Sequence, residues 1–162
     1  MKKLFTFTIL LALIFSLVAC GEKDTPPENT TLGATLLEVF RENSDKSPEE
    51  IANACLASPS IEFMGGVMPV EAGPLTGIDT EINDFSEGYM FAPNIGTIPF
   101  VGYVLEAGDK AESLAETMKT NANPRWNICT EAEETVVEAK DGKVFFLMCP
   151  KDLSTTDGDV SE

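Results

Sequence analysis

"ETVVEAKDGKVFFLMC", residues 134 to 149, is the stretch on which the fold turns. An Asp-Gly pair between two β-forming runs is the strongest short hairpin signal, because the tight turn that joins such runs needs positive φ at both central residues. A two-residue turn at Asp141–Gly142 also fixes the register. Lys140 falls opposite Lys143, Val137 opposite Phe146, Val136 opposite Leu147 and Glu134 opposite Cys149. The second arm, "VFFLMC", is apolar on both faces, as in a strand with no face in water. It is therefore expected inside a sheet. Helices can cover one face. Long loops, the N-terminal helices or a partner chain can cover the other, and a face left open is a surface for homo-oligomers.

Working outward, "EGYMFA" (87–92) and "TIPFVGYVLEA" (97–107) read as neighbouring strands joined through "PNIG". "IEFMGGVMPVE" (61–71) is β-rich on either side of Gly65 and Gly66, a glycine pair that suggests a bulge. "RWNIC" (125–129) reads as a further strand. Three segments carry helical period and start signals. In "TTLGATLLEVFRENSD", Leu32, Leu36, Val39 and Phe40 share a face and Thr31 can cap the first amides. "SPEEIANACLAS" has Ser47 as cap, Pro48 in the first turn and Glu50 closing a capping box, ahead of Ile51, Ala52, Cys55 and Leu56. "GDKAESLAETMKTNA" repeats the device with Asp109 and Glu112, ahead of Ala111, Leu114, Ala115 and Met118. Together these predict a single α+β domain over residues 31–150, with a mainly antiparallel sheet of about five strands and about three helices packed on it.

The N-terminus has a different grammar. Lys2 and Lys3 precede "LFTFTILLALIFSLVA", uncharged and shorter than the roughly 20 residues a membrane-spanning helix needs. Leu17, Val18, Ala19 and Cys20 match the bacterial lipobox, and on these residues the chain resembles the bacterial lipoproteins. That resemblance implies a signal peptide over 1–19, diacylglyceryl transfer to the Cys20 sulfur, cleavage before Cys20, and a mature chain whose partner is the membrane, held through lipid. One acyl chain anchors only marginally and two anchor stably, at about 0.8 kcal/mol per buried methylene. The expected location is the outer face of the cytoplasmic membrane. In a host with two membranes, Gly21 after the cysteine permits the outer membrane.

Residues 20–30 read as the lipidated cysteine and a polar tether stiffened by Pro26 and Pro27, and residues 151–162 as a loose acidic tail. The chain carries 27 acidic against 11 basic residues and no histidine, a net charge of −16 that becomes −18 once Lys2 and Lys3 leave with the signal peptide. Such a surface repels phosphates, which excludes nucleic acid and argues against lying flat on anionic lipid.

With Cys20 spent on lipid, Cys55, Cys129 and Cys149 remain, an odd number for an oxidising compartment. Cys55 lies on an apolar helical stripe. Cys129 and Cys149 are candidates for a disulfide, although Cys149 faces Glu134 in the simple hairpin register, so that Cys129 must fold back to reach it. Without histidine there is no base for a thiol or serine nucleophile and no histidine-ligated metal, and no CxxC pair exists. "DTEIND" (79–84) and Asp157–Asp159 lack the spacing of a calcium loop and read as solvated turns. No catalytic residue, metal site or cofactor is assigned.

One stretch offers binding chemistry. In "NANPRWNICTEAEE" (121–134), Trp126 is the only tryptophan and Arg125 stands beside it. They form either a binding edge, with an aromatic anchor and a guanidinium fork, or a core filler beside a cation that answers local acids. The methionines at 64, 68, 90, 118 and 148 pose the same choice and read mostly as core. The run from "IGTIPFVGYVLEAGDK" through "PRWNICTEAEETVV", with the later "KVFFLMCP", is similar to a group of small lipoproteins of clostridial-type Gram-positive bacteria. That resemblance implies a compact α+β domain outside the cytoplasmic membrane and brings no residue role. The expected function is a non-catalytic protein-interaction module at the cell surface, with a small-ligand-binding lipoprotein as the alternative and a carboxylate-dependent hydrolase behind both.

Overall fold

The Asp141–Gly142 turn forms with φ of 51° and 77°. It joins β6 (Glu134–Lys140) to β7 (Lys143–Cys149) in the register that the turn length dictates: Lys140 faces Lys143, Val137 faces Phe146, Val136 faces Leu147 and Glu134 faces Cys149. The computed structural model describes residues 30–127 and 130–153. Residues 1–29, which include the expected signal peptide and Cys20, together with Cys129 and the chain beyond Leu153, lie outside the described residues.

The remaining strands are β1 (Gly65–Pro69), β2 (Gly73–Pro74), β3 (Glu81–Ile82), β4 (Glu87–Pro93) and β5 (Val101–Glu106). The main sheet is antiparallel throughout, in the order β1-β4-β5-β7-β6, while β2 and β3 form a separate ribbon. The helices are α1 (Leu32–Glu42), α2 (Pro48–Leu56) and α3 (Ala111–Thr120). The fold is a single α+β domain, as the pattern predicts.

β7 lies inside the sheet, and all of its residues are buried. Val144, Phe146 and Met148 enter one core with Tyr103, Leu105 and the α3 stripe Ala111, Leu114, Ala115 and Met118. Phe145, Leu147 and Cys149 enter a second core with Leu36 and Phe40 of α1 and Ile51, Ala52 and Cys55 of α2. The chain itself thus covers both faces, and neither is left as the open surface anticipated for self-association.

Local chemistry sets the helix starts. Thr31 Oγ1 accepts from the Ala34 amide at 3.2 Å, and Ser47 and Glu50 form the predicted capping box ahead of Pro48. The Ser47 bonds hold the Glu50 carboxyl below its ordinary pKa. The third cap departs from expectation. Asp109 caps nothing; Gly108–Lys110 is a 3-10 turn leading into α3, and the Ala107 and Gly108 amides at its start both donate to the Gly142 carbonyl, at 2.9 and 2.8 Å.

Four further expectations change. Gly65 and Gly66 pair regularly with Pro93 and Ala92, so β1 begins there without a bulge. Arg125 to Asn127, expected in a strand, form a turn. "DTEIND" is no solvated turn: it contains β3, whose Ile82 is 1% exposed and which closes the α3-side core together with Leu75 and Ile78. The order at the C-terminal end also extends past residue 150. Leu153 is buried in the second core, and the Lys151 carbonyl accepts from the Leu32 amide at 3.0 Å.

Gly102 shows how closely the second core is packed. A Cβ there would sit 2.1 Å from the Phe91 ring, so the glycine lets that ring lie across β5. Phe91 in turn stacks near Phe145 and meets Phe100 edge-on.

Candidate functional site

The segment after α3 is turned by Asn123. Its amide donates to the Gly77 carbonyl at 2.9 Å and its side-chain amide to Asp79 at 3.0 Å, while its Oδ1 accepts from the Arg125 amide at 3.0 Å. This turn sends Trp126 and Arg125 to different fates. Trp126 is half-buried and packs on the α3-side core, near Gly77. Gly77 has φ of +84°, which strains any residue with a side chain, and a Cβ there would lie 2.4 Å from the Met148 methyl and force it to shift. Arg125 is exposed, and its Nε and Nη2 both reach the Glu131 carboxylate at 2.8 Å. Glu131 raises the guanidinium pKa. Of the two readings open for this pair, the surroundings match core filler and local ion pair: the indole packs on the core, and the fork holds a carboxylate of its own chain.

Chain after this turn forms one wall of an open groove of about 530 Å³. Thr130, Glu131 and Glu133 line it on one side, Ile95, Thr97, Ile98 and Pro99 from the β4–β5 connection on the other, with Pro150 beyond β7. Hydrogen bonds brace its walls. Asn127 Nδ2 donates to the Gly96 carbonyl at 2.6 Å, the Glu133 amide to the Cys149 carbonyl at 3.0 Å, and the Lys151 amide to the Glu133 carboxylate at 2.9 Å. Ile95 is 61% exposed, and Met64, 81% exposed, lies alongside, where the Asn94 amide donates to the Met64 carbonyl. Sequence reading missed Ile95, Ile98 and Pro99, and assigned Met64 and Met68 to the core although both are exposed. The visible signal was an apolar pair, Ile95 and Ile98, inside a Gly- and Pro-bearing connection.

The groove offers one largely apolar wall facing an acidic one, and both carboxylates of the acidic wall are already engaged, Glu131 by Arg125 and Glu133 by the Lys151 amide. That is recognition chemistry, suited to an apolar side chain with polar flanks.

Neither cysteine among the described residues presents a reactive surface. Cys55 and Cys149 are both buried, and they are not bonded to each other. Burial raises the Cys55 pKa to about 12, and burial with the Glu134 and Glu133 carboxylates raises that of Cys149. A thiol held protonated is a poor nucleophile. Because Cys129 lies outside the described residues, its pairing with Cys149 stands as a proposal.

Comparison with known proteins adds no constraint: no family model, no curated protein and no solved structure matches this chain. Among the described residues no helix is long and apolar enough to cross a membrane.

Proposed function

We propose that this chain is a lipid-anchored extracytoplasmic domain that binds a partner protein through the groove between residues 95–99 and 130–133, without catalysing a reaction. One observation carries the reading: the groove presents exposed Ile95, with half-buried Ile98 and buried Pro99 beneath it, on an otherwise strongly acidic domain. The lipobox at Leu17–Cys20 supplies the anchor.

The position of the tether supports the same reading. Thr30 precedes α1, whose first amide, that of Leu32, is held by the Lys151 carbonyl, and Pro150 of that C-terminal stretch lines the groove. Tether and groove therefore share one end of the sheet. Ten residues reach at most about 35 Å, at about 3.5 Å each, so the partner is met close to the bilayer.

The test is site-specific photo-crosslinking in intact cells. A photoreactive residue replacing Ile95 is expected to give a discrete protein adduct, and one replacing Lys119, on the exposed side of α3, none. Equal labelling at both positions, or none at Ile95, overturns the groove. Persistent membrane association of a Cys20→Ala chain overturns the anchor. A groove of this size also falls within the range of small-molecule sites, and a bound mass in native mass spectrometry would favour that reading instead.

A further inference from the structure

The two edges of the main sheet differ in what they offer to another strand. At the β1 edge, the Val70 amide donates to the Gly88 carbonyl and the Asn94 amide to the Met64 carbonyl. Ladder alternation then turns Gly65, Val67 and Pro69 outward. Pro69 has no N–H to give, Gly65 is weak in a strand, and the strand is short. Edges blunted in this way resist pairing.

β6 has none of these defences. It runs straight from Glu134 to Lys140 without proline, glycine or a break in its pairing with β7. The two-residue turn makes Lys140–Lys143 a hydrogen-bonded pair, so Glu138, Val136 and Glu134 also bond to β7. The N–H and C=O groups of Thr135, Val137 and Ala139 consequently point away from the sheet. Among the described residues nothing bonds them on that side.

We infer that β6 pairs with β6 of a second copy of this chain, antiparallel about a two-fold axis through Val137. In that register Val137 meets Val137 of the other copy and Thr135 meets Ala139, so all three outward-facing residues exchange both of their bonds. Glu134 comes opposite Lys140 at each end, and opposite charges directly across a pair stabilise it. The neighbouring registers fail on charge. A slip of two residues one way places Glu134 opposite Glu138, and a slip the other way places Glu138 opposite itself. A slip by one residue exchanges the two faces of the strand. The sequence of β6 thus selects one register for self-pairing. The tether is compatible with it: a two-fold axis perpendicular to the sheet leaves both α1 layers, with Thr30 at the start of each, on the same side, where two anchors reach one membrane.

The test uses the full chain purified in detergent. Sedimentation equilibrium is expected to show a monomer–dimer equilibrium, and hydrogen exchange at Thr135, Val137 and Ala139 is expected to slow as concentration rises. Lys140→Glu puts like charges at both ends and is expected to raise the dimer dissociation constant about tenfold. The swap Glu134→Lys with Lys140→Glu restores the complementary pairs and is expected to recover association. Thermal melts of both variants show whether the fold survives. Because Glu134 also accepts from the Gly33 amide at 3.2 Å and Lys140 donates to the Arg41 carbonyl, Val137→Pro provides an independent variant that removes an outward N–H and leaves those bonds alone. A chain that stays monomeric with these three amides exchanging freely at every concentration overturns the inference, as does a dimer unaffected by Lys140→Glu and Val137→Pro.

Discussion

The two faces of this sheet are closed by different means. On one, α1 and α2 press a run of aromatic rings against the strands: Phe40 stacks on Phe145 at 5.2 Å, Phe91 lies 6.2 Å from Phe145, and Phe100 meets Phe91 and Phe63 edge-on at 5.8 and 5.1 Å. On the other, α3 supplies the side chains of Ala111, Leu114, Ala115 and Met118, with no ring among them, and the β2–β3 ribbon supplies Leu75, Ile78 and Ile82. The first cover is held by helix caps and by the Arg41 guanidinium on Glu138 (2.9 Å). The second depends on a ribbon of two-residue strands, tied through an isolated bridge from Ile78 to Ala122 and a bond from the Tyr103 hydroxyl to the Thr76 carbonyl at 2.9 Å. Continuous helices with local caps make a cover that forms early and opens with the whole domain, whereas a ribbon built from distant contacts opens by itself.

That difference can be broken or sharpened experimentally. The largest effect is expected from Phe145→Ala, which empties the centre of the aromatic run and should cost about 3–5 kcal/mol by chemical denaturation. Ile82→Ala should cost less, about 2–3 kcal/mol at the low end for such truncations. Its hydrogen-exchange signature should be confined to residues 70–86. Global loss of protection would show that the ribbon belongs to the same cooperative unit as the helices, and the contrast would fail.

The smallest effect is in the alkaline limb of stability, and it separates the faces by pH. Cys55, on the helical face, loses its proton near pH 9 in the unfolded chain but only at about 12 when folded. The unfolded state then holds fewer protons than the native one, so this contribution is complete below about pH 9 and declines as pH rises towards 12. Tyr103, on the ribbon face, is held up to about 12 mainly by burial, so its contribution begins to fall near pH 10. Cys55→Ala should flatten the earlier part of the decline and Tyr103→Phe only the later part. Identical pH profiles for the two variants would contradict the assignment.

The same contrast separates what sequence could reveal from what it could not. The β6–β7 register was legible to the residue because a period of two and an Asp-Gly turn are local facts. The α1 and α2 starts were legible because Thr31, Ser47 and Glu50 act within one turn. The β2–β3 ribbon was not, since two-residue strands have no period and the partners of Ile78 and Asp79 lie at Ala122 and Asn121. The start of α3 misled for a related reason, because a 3-10 turn over Gly108–Lys110, anchored at the Gly142 carbonyl, takes the place of the expected Asp109 cap. Arg125 and Trp126 were visible as residue types, but their roles depended on Glu131 and on the space above Gly77. The groove was hidden because its walls come from segments brought together only by folding.

The bond between the Leu32 amide and the Lys151 carbonyl has a practical corollary. It brings the two ends of the domain side by side, the arrangement that circular permutation requires. A circular permutant that joins residue 153 to residue 30 through a short glycine-serine bridge, and opens at Asp141–Gly142, would keep every helix and every rung of the sheet. It would also move the point of attachment to the far end of the strands. A protein so rewired would face its surroundings upside down, with the groove turned outward.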